Sequence, residues 1–397
     1  MRIVICHNYF RERGGEDQVF EDELELLTSH GHDVATFVKR NTDLSGLIPT
    51  IKTAIGTPWN RGASAELEDL VRKTKAEIVH FHNWVPQISP AGFYAARNAG
   101  AAVVQTLHNY RWVCPKGILF RDGSLCEDCV GKRVPWPAVL HSCYHASMVG
   151  SLFVGAAIGL HNAIETPARA IDAFIAPGQF IKQKMTAAGI PGDRIYIKSN
   201  FLPVDPGPGT GDGGYAMYLG RLSPEKKIDT LLAAWERLDG TIPLKISGDG
   251  PLRPVVEAAA RRDPSIDYLG FAPNEALDGL LGSARVLVFT SGTYEAQPLT
   301  ILESCAKGTP VIVARMGAME ELVEDTKTGW HFNPNDSDDL ARVVAEVFEP
   351  SIDLAPIRKA VHGNYLEQFT PGPNHERAME VYEAAIRHRK TDRQANR

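Results

Sequence analysis

Thr290-Ser-Gly-Thr-Tyr-Glu-Ala-Gln-Pro-Leu-Thr-Ile-Leu-Glu303 follows an apolar run, Arg285-Val-Leu-Val-Phe-Thr290, with the length of a buried strand. A short polar loop then leads to Pro298, which suits the first position of a helix because its missing N–H would have no partner there. The helix carries Leu299, Ile301 and Leu302, and the free N–H groups of its first turn form an anion site. Glu295 precedes the helix. Glu303 lies in its second turn, where side chains lean back toward the N-terminus. Neither carboxylate pairs with phosphate, but both accept hydrogen bonds from hydroxyls. Phosphate on the helix end and sugar hydroxyls on the glutamates describe a nucleotide-sugar. Taken alone, the spacing fits equally well a helix N-terminus with one favourable acidic neighbour.

The chain has 397 residues, enough for two domains of roughly 200 residues each. Its 44% apolar and 23% charged content is that of an ordinary globular protein, and a net charge of −6 gives no global reason to bind nucleic acid. MRIVICH at the N-terminus runs directly into a strand pattern without signal-peptide architecture. Six cysteines do not make a disulfide scaffold in a chain this long, so a cytoplasmic, reducing compartment is expected. Val134 to Ile164 contains no Asp, Glu, Lys or Arg. Its most apolar part, Met148–Leu160, is shorter than the ~20 residues that span a bilayer. It reads first as a buried helix, with an interfacial helix touching the membrane as the sharper alternative.

Working outward, both halves alternate strands and helices. Arg2–His7, Val34–Val38, Glu77–His82 and Ala102–His108 are strand candidates, several ending in polar residues such as His80, His82, Asn83 and His108. In parallel sheets ligands gather at such ends. Gly14-Gly15 lies between the first strand and its helix, where glycine lets backbone approach a phosphate or sugar, or simply makes a tight turn. Pro203 to Gly214 holds three prolines and five glycines and reads as a linker. Beyond it Ala216–Gly220 restarts the alternation, followed by Arg221 and Lys226, two cations on the loop after a strand end. Asp336-Ser-Asp338 precedes a helical pattern and reads as an N-cap. No catalytic divalent ion is expected.

Glu295-x7-Glu303 resembles the E-x7-E motif of retaining glycosyltransferases with the GT-B fold, family 4, and other segments follow that family's order. Gly220-Arg-Leu-Ser-Pro-Glu-Lys226 is similar to its G-R-L-x-x-E-K-G segment, with Lys227 in place of the last Gly. Gly248-Asp-Gly-Pro251 is similar to its G-x-G-P turn, and Thr106-Leu-His-Asn-Tyr110 to its T-L-H-D/N-Y segment. Arg13-Gly14-Gly15-Glu16 resembles its GG-x-E turn, although here Glu16 comes directly after the glycines.

The resemblance implies two Rossmann-like α/β domains facing a cleft: residues 1–205 for the acceptor, 206–373 for the nucleotide-sugar, and 374–397 as a C-terminal helix crossing back onto the first domain. It implies transfer of a sugar from a nucleoside-diphosphate sugar to a saccharide or lipid-linked acceptor, in surface polysaccharide or glycolipid synthesis, with peripheral membrane contact. Arg221, Lys226 and the N–H groups around Pro298, Leu299 and Thr300 would hold the diphosphate. Glu303 would take the ribose, Glu295 the sugar hydroxyls, and His108 would line the sugar pocket. Gly14 and Gly15 would border the pyrophosphate, Gly248 the donor, and Phe271 the base. Two rivals are a sugar-nucleotide epimerase or synthase of the same architecture, and a zinc-bearing binding protein with a vestigial sugar site.

An insertion at about 112–145 lies outside the family pattern. Cys114, Cys126, Cys129 and Cys143 are spaced C-x11-C-x2-C-x13-C, with one pair at knuckle spacing. Four thiolates close a tetrahedral zinc site, with His141 or His145 able to replace one. Four reduced thiols without metal are the other reading, and the spacing admits both.

Overall fold

Both halves form wholly parallel six-stranded sheets, whose central strands are buried on both faces while the edge strands Asp33–Arg40 and Ile266–Gly270 stay part-exposed. The computed structural model describes residues 1–10, 12–41, 53–272 and 274–395. It divides into two units, one of residues 1–119, 126–200 and 371 onward, the other of residues 120–125 and 201–370.

The first unit holds β1 (Arg2–Tyr9), β2 (Asp33–Arg40), β3 (Ile78–Phe81) and β4 (Ala102–Thr106). A two-strand hairpin, β5 (Phe120–Arg121) and β6 (Ser124–Leu125), interrupts it and groups with the second unit; β7 (Ala173–Ala176) and β8 (Ile195–Ile197) complete it. The sheet order is β2-β1-β3-β4-β7-β8, all parallel. Helix α1 (Gly15–Ser29) links β1 to β2 and buries Val19, Phe20, Leu26 and Leu27.

The second unit holds β9 (Ala216–Leu219), β10 (Leu244–Ser247), β11 (Ile266–Gly270), β12 (Val286–Phe289), β13 (Val311–Ala314) and β14 (Gly329–Phe332), in the order β11-β10-β9-β12-β13-β14. Its core joins Ile228, Trp235, Ile246, Val288, Ile312 and Val344. Asp336 caps the helix Ser337–Phe348, accepting from the N–H groups of Asp338 and Asp339 at 3.1 and 2.9 Å, so that Asp-x-Asp is a cap.

Three expectations need correction. The Pro/Gly-rich stretch is not a free tether. Gly209, Gly211 and Gly213 donate to the carbonyls of Lys307, Gly282 and Ser283, strapping the stretch onto the second unit. A β-carbon on Gly209 would stand 2.2 Å from the Gly282 carbonyl oxygen, so glycine is there for close backbone approach. The units divide at Asn200 and Phe201, before the prolines.

The sequence reads as helical from Asn374 to Arg389, with Lys390–Arg397 a frayed basic tail, but the helix continues into that tail as far as the described residues go. The C-terminal helix runs Pro371–Ala395, and Arg389 and Arg393 donate to the carbonyls of Arg97 and Gly100 at 2.5 and 3.0 Å. It packs Val381, Tyr382 and Ala385 into the first unit's core.

The apolar stretch is only half buried. Helix α2 (Trp136–Leu140) lies against helix α3 (Met148–Ala163), with Pro135 and Val139 beside Gly155 and Val134 beside Gly159. The outer side of α3 presents Met148, Val149, Leu152 and Leu160 to solvent, joined from α2 by Trp136 and Leu140.

Candidate active site

In the second unit β9 and β12 are neighbours although two strands separate them in sequence. Such a switch point opens a crevice beyond the carboxyl ends of the strands. The loop after β9, Gly220–Lys227, therefore meets the loop after β12, Thr290–Pro298. They are stitched by Thr290 Oγ1 donating to the Lys226 carbonyl at 2.7 Å and by the Gly292 N–H donating to Glu225 at 2.8 Å. Gly248 and Gly250, after β10, pack against the first of these loops. A β-carbon on either would stand 1.9 Å from the Gly220 carbonyl oxygen or 2.4 Å from that of Leu222, so only glycine lets these loops touch.

Lys226 and Glu295, predicted on separate motifs, are brought together. Lys226 Nζ donates to Glu295 Oε1 at 2.6 Å, and the same oxygen accepts from Ser291 Oγ at 2.5 Å and Thr293 Oγ1 at 3.2 Å. Burial pushes the Glu295 carboxyl upward. Lys226 and the two hydroxyls outweigh burial and hold it below the usual value, so it stays ionised. Tyr218 beneath them is pushed well above the phenol range by burial, with the Glu295 and Glu225 carboxylates adding to the push.

Pro298 sits one position outside the helix, as its N-cap, in extended conformation, and the helix (α4) runs Leu299–Ala306. No side chain caps that start, and the N–H groups of a first helical turn have no intrahelical partner. Glu303 is half-buried on α4, Arg221 is exposed, and Phe271 is 80% exposed at the end of β11. Lys227 holds a left-handed backbone (φ 54°), the conformation that explains glycine in the resembled motif. Its ammonium donates to the Gly123 carbonyl at the β5–β6 turn at 2.8 Å.

In the first unit the switch point falls between β1 and β3. His7, buried at the end of β1, meets Asp17 Oδ1 at 2.7 Å, and Asp17 Oδ2 accepts the Gly14 N–H at 3.0 Å. This fixes the Gly14-Gly15 turn. Gly14 has φ −129°, open to any residue, and a β-carbon there would meet nothing within 4 Å. The chain itself does not demand glycine at this position.

Beside the turn, Glu16 Oε2 accepts from Asn109 Nδ2 at 3.0 Å while its buried Oε1 has no partner. Burial pushes the Glu16 carboxyl up to about 8, with Arg111 and Asn109 pulling the other way. Sequence reasoning passed over it, although its displacement toward the glycines was the available signal. Ser291 and Thr293 were missed as well, being small polar residues in a loop.

His108 contacts His82, Nε2 to Nδ1, at 2.9 Å, and both are pushed well below the imidazole range by burial first and neighbouring histidines second. His108 also lines a small pocket with Asn83, Trp84, Asn109 and Arg111. His80 is structural, meeting Thr106 Oγ1 at 2.7 Å and the Tyr382 hydroxyl at 2.9 Å. Glu23, His80 and His82 place ligand atoms within 4.8 Å of one another. However, both His80 nitrogens are engaged, and Lys198 Nζ already sits 3.1 Å from Glu23 Oε2. Glu23 Oε1 and His82 Nε2 are buried without a hydrogen-bond partner.

The chain is similar to known proteins along most of its length. Residues 13–205 match the profile described as Glycosyltransferase Family 4, and residues 209–361 that described as Glycosyl transferases group 1. O-antigen chain mannosyltransferase B of Escherichia coli is 36% identical over 137 residues, 32% of this chain and 35% of that protein. A GDP-mannose-dependent alpha-(1-6)-phosphatidylinositol dimannoside mannosyltransferase of Mycobacterium tuberculosis is 40% identical over 111 residues, 27% of this chain and 29% of that protein. The matches thus span about a third of these curated relatives. The solved structure of Anabaena HepE in complex with UDP superposes with a TM-score of 0.69 at 16% identity, covering 96% of this chain and all of that one.

Proposed function

The chain belongs to the group 1 glycosyltransferases with the GT-B fold, and within that family we propose that it moves a sugar from a nucleoside-diphosphate sugar to a saccharide or lipid-linked acceptor, with retention at the anomeric carbon. The observation that carries this reading is the Lys226–Glu295 pair at the β9/β12 switch point, beside the uncapped start of α4. Breaking the glycosidic bond puts negative charge on the departing diphosphate. Lys226, Arg221 and the N–H groups around Leu299 and Thr300 stabilise that charge. In the free protein Lys226 is held by Glu295. A bound diphosphate competes for the ammonium and leaves the ionised Glu295 to accept hydrogen bonds from sugar hydroxyls. Glu303 receives the ribose. In the acceptor unit, Gly14 and Gly15 give a ligand access to backbone, and His108, neutral at physiological pH, lines the sugar side. The leaving phosphate takes the acceptor proton on the same face, so no protein nucleophile is assigned.

A lipid-linked acceptor at a membrane surface is supported by the α2–α3 face. Its exposed apolar stripe, with Trp136 and flanking exposed Lys132 and Arg133, has the chemistry of an interfacial contact with anionic headgroups. Among the described residues no helix is long and apolar enough to cross a membrane.

The reading is tested by incubating the protein with UDP-, GDP- and ADP-sugars and candidate acceptors, following nucleotide release and the product's anomeric configuration by NMR. Acceptor-dependent release with retained configuration is expected. Release without acceptor points to the epimerase or synthase class, and an inverted product contradicts the mechanism.

A further inference from the structure

The four cysteines of the insertion all lie in the first unit, and none forms a disulfide. A short path of backbone contacts joins them. The Cys114 carbonyl accepts from Gly117 at 2.9 Å, and the Cys126 N–H donates to Leu119 at 2.8 Å, closing the base of the β5–β6 hairpin. The Cys126–Cys129 turn continues through Lys132, whose N–H donates to the Cys129 carbonyl at 3.2 Å. The chain then turns at Ala138, whose N–H donates to the Pro135 carbonyl at 3.1 Å and whose carbonyl accepts from the Cys143 N–H at 3.0 Å. Cys114 and Cys129 are buried, and Cys126 and Cys143 half-buried.

The segment around them has little regular structure. From Cys114 to Ser147 its regular structure is two two-residue strands and the five-residue α2. Leu119, Asp122, Ser142, His145 and Ala146 are non-glycine residues in left-handed conformation. Such residues each cost about 1 kcal/mol or more and persist only where the surroundings over-determine them.

We propose that Cys114, Cys126, Cys129 and Cys143 bind one zinc ion as a tetrahedral tetrathiolate that staples the insertion. Cys129 lies within electrostatic range of the Cys114, Cys143 and Cys126 thiols. A divalent cation takes such sulfurs as thiolates and releases their protons. No three of the sulfurs lie within 4.8 Å of one another among the described residues. Thiolates about 2.3 Å from zinc stand ~3.8 Å apart, so binding draws the side chains inward. The staple fixes the base of the hairpin whose Gly123 carbonyl receives Lys227.

The test is the metal content of the full-length protein purified without chelators, by plasma mass spectrometry. About one zinc per chain is expected, retained in Cys6→Ser/Cys305→Ser and lost in Cys126→Ser/Cys129→Ser. Protein refolded with cobalt should show thiolate charge-transfer and tetrahedral ligand-field bands. Folded wild-type protein with less than about one-tenth of a zinc, and all four thiols reacting at once with Ellman's reagent, overturns the proposal. Iron in place of zinc, with the visible colour of a cluster, also overturns it. Because the wild-type metal count decides, a variant that fails to fold does not obscure the answer.

Discussion

Glu295 gathers an ammonium and two hydroxyls onto one carboxylate oxygen, and the ionised state this secures is the property the proposed chemistry uses. Glu295→Gln keeps the shape and removes the charge. It should lower kcat about 10²–10³-fold with a smaller change in donor KM, measured by nucleotide release; full turnover would sink the assignment. Glu16 offers a pH test. Its carboxyl is pushed from 4.5 to about 8 by burial, so the folded state holds a proton that the unfolded state has given up. The stability it contributes is fully present below about pH 4.5 and is lost as pH rises toward about 8. Glu16→Gln has no such loss, so the gap in unfolding free energy between variant and wild type should widen in the variant's favour from pH 5 to 8. A gap independent of pH contradicts the buried protonated state. Lys226 and Glu295 were legible in sequence because each sits in a spaced motif. The partnership between them, and Glu16's burial against Asn109 and Arg111, arise from contacts across 69 and 93 residues that no local pattern encodes.

Among the elements, strands and helices were read from periodicity with shifts of only one or two residues at many ends, as expected where ends fray. The failures lie where composition has two physical meanings. Glycine marks flexibility in a linker and also permits close backbone contact, and the Gly209–Gly213 strap uses the second meaning. Gly209→Ala should therefore destabilise the protein by about 1–3 kcal/mol through overpacking against Gly282. A flexible tether would instead gain about 0.4–1 kcal/mol from a less disordered unfolded chain. Urea denaturation of the two proteins separates the outcomes. Similarly, an apolar stretch can be core or surface, and α3 is both, which its charge-free sequence could not tell. The C-terminal helix continued past the expected stop because Arg97 and Gly100, distant in sequence, receive its arginines.

For the whole molecule, two parallel α/β units were legible from the alternation and from a resemblance spanning nearly the full chain. Strand order was not. The β11-β10-β9-β12-β13-β14 arrangement that sets the Lys226 and Glu295 loops side by side is a property of packing. The exposed face of α2 and α3 predicts that the protein co-sediments with vesicles containing anionic lipid. Leu140→Ser/Leu152→Ser should lose most of that binding while retaining its unfolding midpoint, and equal binding by both proteins would contradict the interfacial reading. The central claim is that the second unit holds a nucleoside diphosphate across its switch point. Calorimetric titration of the purified protein with UDP, GDP and ADP tests it most directly. One nucleotide should bind, raise the unfolding free energy by roughly 2.7 kcal/mol at a hundredfold excess over Kd, and bind about 10–100-fold more weakly to Lys226→Ala. Folded protein that binds none of the three, or binds one equally well without Lys226, would contradict it.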